Sequence, residues 1–416
     1  MMLLYRILIN LTLLVSPIII IFRILKKKEH STRFLEKFGF FNKKKKPGKL
    51  IWFHGSSVGE ILSVMPLIEN LERKKNIKQI LLTSNTLSSS KVFNNFKLKK
   101  TNHQFFPIDS NFITKKFLNY WQPSLAVFIE SEIWPNMINN LKNKNTKVVL
   151  LNARITKKSY MRWKKISFFS RSIFEKFNIC LPQNDETKHY LKKLGAKKIK
   201  KLGNLKFSET TLKTLDKINK STKNFLNKKK ILFGAISTHS SEETFCAKIH
   251  SKLKKKYPNG ITIIIPRHIH RTATIKEEIE NSGLKVHLHN SNVKKIDINT
   301  DIYLVNVFGE TKSFLKICKI VFLGGSLIQH GGQNPLEAAR LGCKVIHGPN
   351  ISNFIEIYNL LKKNNISSQI NKLKNAKAII NKNLNNKYNY KKISKKLNSI
   401  GNEVLIKNKK EISKYI

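Results

Sequence analysis

The sequence predicts an α/β protein with two doubly wound domains, preceded by a membrane-associated helix. Three observations support this prediction. At 416 residues, the chain exceeds the size at which one hydrophobic core keeps growing, so two domains are expected. Short apolar runs alternate with amphipathic helical segments in both halves, which is the pattern of parallel sheets covered by helices. An uncharged apolar segment, residues 7–22, lies near the start of the chain.

Nine apolar runs predict the strands, and the helical segments between them predict crossover connections. The first half contains Leu50–His54, Ile80–Thr83, Leu125–Ile129 and Val148–Asn152. The second half contains Ile231–Ile236, Ile261–Ile265, Ile302–Val305, Ile320–Leu323 and Val345–His347. Pro66 should kink or restart the helix after the first strand, because proline removes a helical hydrogen bond.

Four segments are expected along the chain. Residues 1–28 form the membrane anchor and residues 29–207 the first domain. Residues 208–230 are polar and rich in Lys and predict a linker, and residues 231–416 form the second domain with an Asn- and Lys-rich helical tail. Two doubly wound domains facing one another would leave a cleft lined by the carboxyl ends of both sheets.

The N-terminal apolar segment predicts a membrane anchor. Its uncharged run is shorter than the ~20 residues that span a bilayer. Spanning therefore requires the residues from Met1 onward and snorkelling of Arg6 and Arg23. Lys26–Lys28 follow directly and put the rest of the chain on the cytoplasmic side. Spanning and interfacial anchors both remain open, and a buried first helix of a soluble domain is the weaker alternative.

The formal charge of +54 invites an anionic partner. Only ten of the 79 basic residues are Arg, and the Lys residues are spread along the chain. Nucleic-acid readers concentrate Arg and aromatic residues in one module, so nucleic acid is not expected. The excess of Lys fits either an anionic membrane surface or a compositional bias on solvated faces. The four cysteines form no C-x-x-C pair, which indicates a reducing compartment.

Polar and small residues cluster where the predicted strands end, the place where such sheets bind ligands. HGSSVGE, ESEIWPN and NARITKKS follow strands of the first half, and AISTHSSEE, PRHIHR and GGSLIQHGGQNPLEAARLG follow strands of the second. In the last segment, Gly331 and Gly332 permit close backbone approach, and the following helix N-terminus can hold phosphate. Glu337, one turn into that helix, could accept hydrogen bonds from two ribose hydroxyls.

Each motif also has a structural interpretation. Glu60 could simply be a carboxylate stabilised in the first turn of a helix. Glu130 and Glu132 could cap a helix. His268 and His270 could bind a metal, but no third ligand stands at a suitable spacing, so no metal or cofactor is expected.

FHGSSVGE, ESEIWPN, LNARIT, GNLKF, PRH, FGE and GGSL…GGQNPLEAA, in this order, resemble the motifs of the 3-deoxy-D-manno-octulosonic acid (Kdo) transferase family. The resemblance extends to about residue 360. It implies an inverting glycosyltransferase of the GT-B architecture, with two Rossmann-like domains, on the cytoplasmic side of the inner membrane. Such an enzyme transfers Kdo from CMP-Kdo to the lipid A precursor lipid IVA during lipopolysaccharide assembly, beside an anionic membrane surface.

The resemblance also implies roles for individual residues. Glu60 corresponds to the general base, and Glu130 and Lys206 correspond to stabilisers of the transition state. The CMP contacts correspond to Pro266, Arg267, Phe308, Gly309, Glu310, Asn334, Pro335, Leu336 and Glu337.

The sequence departs from the family pattern at two places. Ser208, followed by Glu209, stands where an acidic residue is usual, and Ser240 replaces a carboxylate. The alternative enzyme is another membrane-associated GT-B nucleotide-sugar transferase. The non-enzymatic alternative is a basic protein that binds membrane or nucleic acid.

Overall fold

The computed structural model describes residues 1–208, 218–289, 296–385 and 390–416. The chain divides into two compact units. Unit 1 comprises Met1–Thr210 and Ile400–Ile416, and unit 2 comprises Thr211–Ser399. Each unit is built around one parallel sheet.

Unit 1 contains a six-stranded parallel sheet in the order β3-β2-β1-β4-β5-β6. Its strands are β1 (Leu50–His54), β2 (Gln79–Ser84), β3 (Thr101–Phe105), β4 (Leu125–Ile129), β5 (Lys147–Ala153) and β6 (Ile179–Pro182). Its helices are α1 (Met2–Leu25), α2 (Val58–Glu72), α3 (Leu87–Phe93), α4 (Asn111–Trp121), α5 (Pro135–Asn143), α6 (Lys157–Lys165), α7 (Ser167–Phe174) and α8 (Asp185–Lys193). Short 3-10 turns occupy Arg33–Phe38 and Leu205–Ser208.

The central strands of unit 1 are buried on both faces, which explains their uninterrupted apolar sequences. Alternate residues of β1 enter opposite cores. Leu50 and Trp52 pack with α4, α5 and α7 on one face. Ile51 and Phe53 pack with α2 on the other face, together with residues near the C-terminus.

Unit 2 contains a seven-stranded parallel sheet in the order β13-β12-β11-β7-β8-β10-β9. Its strands are β7 (Lys230–Thr238), β8 (Gly260–Pro266), β9 (Val286–Leu288), β10 (Ile302–Leu304), β11 (Ile320–Leu323), β12 (Lys344–His347) and β13 (Ser367–Gln369). The helices that follow residue 218 are α9 (Lys220–Lys228), α10 (Glu242–Lys254), α11 (Thr272–Glu280), α12 (Thr311–Ile317), α13 (Leu336–Arg340), α14 (Ile355–Lys363), α15 (Leu373–Asn385) and α16 (Tyr390–Ser413). A 3-10 turn covers Ile269–Arg271.

All nine predicted strands are confirmed, within one or two residues at their ends. Four further strands, β3, β6, β9 and β13, were not predicted from the sequence. Pro66 does not restart the helix: α2 runs without interruption from Val58 to Glu72. Its buried apolar side chains pack against the sheet over that whole length.

The predicted linker and tail need correction. Residues 209–217 of the expected linker 208–230, Glu209 among them, lie outside the described residues. The rest of that segment includes α9, whose Thr222 bonds to Tyr303 of the second sheet (3.2 Å), so it is part of unit 2. Residues 400–416 belong to unit 1, although the tail was assigned to the second domain. Ile412 joins the core of unit 1, and Lys200 pairs with Glu411 at 2.8 Å.

Candidate active site

The strand order of unit 1 places the candidate catalytic residues together. β1 and β4 are neighbours at the centre of the sheet, and the crossover connections that follow them lead to opposite edges. Such a switch point leaves a crevice at the carboxyl ends of the two strands, where ligands bind in open α/β sheets. Glu60 follows β1, and Glu130 comes directly after β4.

Glu60 is the third residue of α2 and is held by its first turn. Ser57, the N-cap, donates its hydroxyl to Glu60 Oε1 (2.7 Å) and accepts from the Glu60 amide (3.4 Å). The Ser56 amide donates to Glu60 Oε2 (2.7 Å). This arrangement is a variant of the capping box. Each carboxylate oxygen has a further lone pair with which to accept another hydroxyl.

The surroundings of Glu60 favour its protonated form. Burial raises the pKa of this carboxyl to about 7, and the charges of Glu132 and Glu130 act in the same direction. The hydrogen bonds from Ser57 and Ser56 lower the pKa but do not cancel these effects. A carboxylate with a pKa near the working pH is suited to accept a proton from a hydroxyl.

Glu132 is fixed beside this site by two rings. His54 Nε2 lies 3.0 Å from Glu132 Oε2, and the Trp134 indole N–H donates to the same oxygen (2.9 Å). His54 is completely buried at the end of β1, where Nδ1 lies 3.0 Å from Thr83 Oγ1 and the ring stacks on Phe106. The sequence motifs contained His54 and Glu132 but gave no sign that they would meet.

Glu130 and Lys206 form an ion pair, with 2.6 Å between Lys206 Nζ and Glu130 Oε1. The two side chains are 7% and 15% exposed. Glu130 has a positive φ of 56°, an uncommon conformation for a residue with a side chain. Asn152 at the end of β5 accepts from the Leu205 amide (3.0 Å) and so positions the turn that carries Lys206. The structure therefore joins two of the three predicted catalytic residues directly, and the charge of Glu130 also acts on the third, Glu60.

The switch point of unit 2 lies between β7 and β11, and a buried carboxylate organises it. Glu242 accepts four backbone N–H bonds: Oε2 from His239 (3.0 Å) and Gly325 (2.7 Å), and Oε1 from Ser326 (3.0 Å) and Leu327 (2.9 Å). The side chain thus joins the loop after β7 to the Gly-rich loop after β11. Sequence reasoning missed this role, although Glu242 stood in the AISTHSSEE motif.

Three imidazole rings meet at the same edge of the second sheet. The His239 ring lies 4.4 Å from that of His330 and 5.7 Å from that of His268. Burial lowers the pKa of His239, and its buried Nε2 makes no hydrogen bond. Within the described ranges, no three His, Cys, Asp or Glu side chains are arranged to hold a metal ion. These nitrogens suit hydrogen bonding to an anionic or hydroxylated ligand.

The residues expected to contact CMP lie around this edge. Pro266 ends β8, the Arg267 amide donates to the Thr238 carbonyl of β7 (2.9 Å), and Arg267 is exposed. Phe308 is exposed, and Gly309 has a φ of 86°.

Two side-chain contacts connect the next segments. His289 Nε2 lies 3.1 Å from Glu310 Oε2, and Lys312 forms an ion pair with Glu337 (3.2 Å). The second pair joins the FGE segment to the NPLE segment. Asn334 accepts from the Leu336 amide (3.1 Å), and Pro335 precedes α13, a helix of only five residues. A single turn carries little of the helix dipole that was expected to hold phosphate.

Solved structures support the two-domain architecture. A UDP-GlcNAc 2-epimerase from Neisseria meningitidis matches with a TM-score of 0.57 at 14% identity, over 88% of this chain and 99% of that one. A glycosyltransferase from Rickettsia africae matches with a TM-score of 0.56 at 14% identity, over 89% and 99%. At these identities the likeness concerns the fold alone, and it agrees with the predicted GT-B architecture.

Sequence relatives identify the family. The family model described as 3-Deoxy-D-manno-octulosonic-acid transferase (kdotransferase) matches residues 32–209. A 3-deoxy-D-manno-octulosonic acid transferase from Rickettsia prowazekii is 37% identical over 80% of this chain and 70% of its own length. The corresponding enzyme of Haemophilus influenzae is 28% identical over 98% and 96%. The chain therefore belongs to the 3-deoxy-D-manno-octulosonic acid transferase family of glycosyltransferases.

Proposed function

We propose that this glycosyltransferase transfers Kdo from CMP-Kdo to lipid IVA, a lipid A precursor, in lipopolysaccharide core biosynthesis. The observation that carries the proposal is the set of three charged residues at the switch point of the first sheet. Glu60 has a pKa of about 7. Glu130, which directly follows the neighbouring strand β4, forms an ion pair with Lys206. The family membership supplies the sugar that is transferred.

Glu60 is the general base of the proposed reaction. Its carboxylate takes the proton of the acceptor hydroxyl while that oxygen forms a bond to the anomeric carbon of Kdo. The bond from this carbon to the phosphate oxygen breaks, and CMP leaves with the electron pair. Attack opposite to the leaving group inverts the anomeric centre. Inversion needs only this one base on the acceptor side.

Glu130 and Lys206 act on the charges that develop during transfer. The anomeric carbon becomes oxocarbenium-like, as in glycosidases, and a nearby carboxylate such as Glu130 favours that positive charge. Lys206 holds this carboxylate in place (2.6 Å) and adds a positive charge on the side of the negatively charged substrate. In unit 2 we assign CMP to the exposed Arg267 and to the segments around Phe308–Glu310 and Asn334–Glu337. The reaction as proposed uses no metal or cofactor.

We also propose attachment to the cytoplasmic side of the inner membrane, where a lipid acceptor resides. In the described part of the chain, one helix, Met2–Leu25, is long and apolar enough to cross a membrane. Lys26–Lys28 after it are exposed and favour the cytoplasmic side.

The test is mass spectrometry of lipid IVA incubated with the full-length protein and CMP-Kdo. The wild type should add the mass of at least one Kdo, and Glu60→Gln should add almost none. Glutamine keeps the capping geometry, so folding should be unchanged. Glu69→Gln, farther along α2, is the matched control and should keep full activity. Near-normal turnover of Glu60→Gln would remove Glu60 from the mechanism.

The choice of donor is tested separately by ligand protection against heat. CMP should raise the melting temperature of the wild type and of Glu60→Gln alike, since binding to the native state stabilises it. Protection by UDP and not by CMP would instead support another GT-B nucleotide-sugar transferase.

A further inference from the structure

One side of the N-terminal helix α1 is buried or half-buried along the helix. Its buried and half-buried side chains recur every three or four residues and so form one stripe. The stripe consists of Met2, Tyr5, Ile9, Leu13, Ser16, Ile20 and Ile24. Met2 and Tyr5 pack against the core on one face of the first sheet.

The beginning of α1 is tied to the unit by hydrogen bonds. The Tyr5 hydroxyl donates to Asp109 Oδ2 (2.7 Å), and the same carboxylate accepts the amides of Asn136 (3.0 Å) and Met137 (2.8 Å) at the start of α5. Arg6 Nε donates to the side chain of Asn136 (3.1 Å). The first turn of α1 is therefore held by the rest of unit 1.

The end of α1 is tied to the same unit. Arg23 and Lys37 both pair with the completely buried carboxylate of Glu29, at 3.2 and 2.6 Å. The turn that contains Lys37 is joined to β3, because Glu36 Oε2 accepts from the Phe105 amide (2.7 Å). Both ends of α1 are thus attached to the body of the unit.

These attachments conflict with a spanning helix. A helix of 24 residues is about 36 Å long, and a spanning helix would carry its two ends to opposite sides of a hydrocarbon core of ~30 Å. One set of attachments, and most of the packed stripe, would have to break. A helix lying in the plane of the membrane keeps all of them.

The outer face of α1 is apolar and exposed. Its members are Leu3, Leu4, Ile7, Leu8, Leu11, Leu14, Val15, Ile18, Ile19, Ile21, Phe22 and Leu25. An apolar surface of this extent marks a contact with another molecule or with a membrane.

Two exposed aromatic rings extend this surface beyond α1. Phe168 is 86% exposed and precedes Phe169, whose ring lies 6.2 Å from that of Tyr5. Phe112 is 77% exposed and follows Asn111, which accepts a hydrogen bond from Arg6. Both residues therefore lie next in sequence to residues that contact the first turns of α1.

Basic side chains flank the apolar surface. α6 packs beside it, since the rings of Trp163 and Phe169 are 6.4 Å apart. Its exposed cations are Lys157, Lys158, Arg162, Lys164 and Lys165. Lys26–Lys28 extend the basic rim at the other end. Apolar side chains between cations match the interface of an anionic bilayer. A second copy of this chain would carry the same positive charges at this rim and would be repelled.

We propose that α1 lies in the plane of one leaflet, and that Phe112 and Phe168 enter the same interface as parts of a single lipid-binding surface. The proposal does not depend on the sugar or on the donor. Vesicle binding needs neither substrate, so its failure is distinguishable from failure of the proposed function.

The depth of α1 is measured in full-length protein that carries Leu3→Cys, Leu14→Cys or Leu25→Cys with a fluorescent thiol label. The native cysteines are buried, and unsubstituted protein gives the labelling background. In vesicles with nitroxide lipids, all three sites should be quenched most strongly by nitroxides near the headgroup. Strongest quenching of the Leu14 site by nitroxides at the bilayer centre, with the other two sites shallow, would mean a spanning helix and would overturn the proposal.

The contribution of the two rings is measured by flotation with vesicles containing phosphatidylglycerol. Phe112→Ser with Phe168→Ser should weaken partitioning by about tenfold or more, from loss of buried apolar area. Ile406→Ser is the control. It removes an exposed apolar side chain from α16, which packs on the opposite face of the first sheet, and should leave partitioning unchanged. Equal binding of the double variant and wild type, or self-association in place of vesicle binding, would refute the proposed surface.

Discussion

Glu242→Gln should loosen the Gly-rich loop of unit 2 more than any neighbouring substitution. The carboxylate is completely buried and accepts two backbone N–H bonds on each oxygen. Glutamine replaces one oxygen with an NH₂ group. This group is a donor, so it cannot accept the two backbone N–H bonds that the oxygen accepted. The change is nearly isosteric, so its effect comes from hydrogen bonding.

The size of the effect follows from the bonds that are lost. A hydrogen bond to a charged group contributes about 1.5–3 kcal/mol. Loss of two such bonds costs about 3–6 kcal/mol, a large part of the ~5–15 kcal/mol that stabilises a typical domain. Local opening should then become at least a hundredfold more frequent, since 1.4 kcal/mol is a factor of ten.

Hydrogen exchange read by mass spectrometry is the suitable assay. All four tryptophans, Trp52, Trp121, Trp134 and Trp163, lie in unit 1, so tryptophan fluorescence would not report on unit 2. In Glu242→Gln, the peptide that contains Gly325, Ser326 and Leu327 should lose its protection.

Glu243→Gln is the matched control. Glu243 is equally buried and adjacent, and burial raises the pKa of its carboxyl, so a neutral side chain suits the position. The substitution weakens the pair with the partly exposed Arg271 and leaves the four amides bound by Glu242 in place. Equal exchange in the two variants would refute the assignment of Glu242 as the anchor of the loop.

Three further predictions concern unit 1. Because the pKa of Glu60 is raised to about 7 and the base must be ionised, kcat/KM should fall about tenfold per pH unit below that value. Ser57→Ala removes a bond that lowers this pKa, so its profile should shift to higher pH; an unshifted profile would contradict the titration of Glu60. Lys206→Gln should lower the free energy of unfolding, measured with urea, by about 2–4 kcal/mol. This is less than the full cost of breaking a buried pair, because the Lys206 side chain is 15% exposed. Adding Glu130→Gln should restore much of that stability without restoring turnover, and strict additivity of the two changes would argue against coupling. Gly203→Ala should lower the melting temperature, because Gly203 has a φ of 97° and a new Cβ would lie 2.8 Å from Val404 of α16; an unchanged melting temperature would mean that this contact does not support unit 1.

The strands could be predicted wherever burial on both faces required uninterrupted apolar residues. Leu50–His54 and Leu125–Ile129 were found with their observed bounds. β3 was missed because its sequence, TNHQF, is polar. Its polar groups are satisfied by residues distant in the chain: His103 Nε2 contacts Ser84 Oγ at 2.8 Å, and Arg33 donates to the His103 carbonyl (3.0 Å). No local pattern encodes such contacts.

The candidate site was predictable only in part, because some of its contacts join residues that are distant in the chain. Parallel strands bring their carboxyl ends to one edge, so the sequence already indicated that Glu60 and Glu130 would lie at the same edge of the sheet. The contact of His54 with Glu132 and the four amides bound by Glu242 depend on side chains from separate loops. These could not be read from the spacing of motifs.

The sequence by itself determined the class of fold, the family and the candidate base, because apolar periodicity and motif order are properties of the chain. Only the tertiary structure decided how Glu60 titrates. A helix N-terminus lowers the pKa of a carboxylate, whereas burial and neighbouring carboxylates raise it. The outcome, a pKa of about 7, depends on how closely Glu132 and Glu130 approach and on how much water is excluded. Likewise, only the packed stripe and the two tethered ends of α1 distinguish a helix lying along unit 1 from one that spans a membrane, because length and apolarity are the same in both cases.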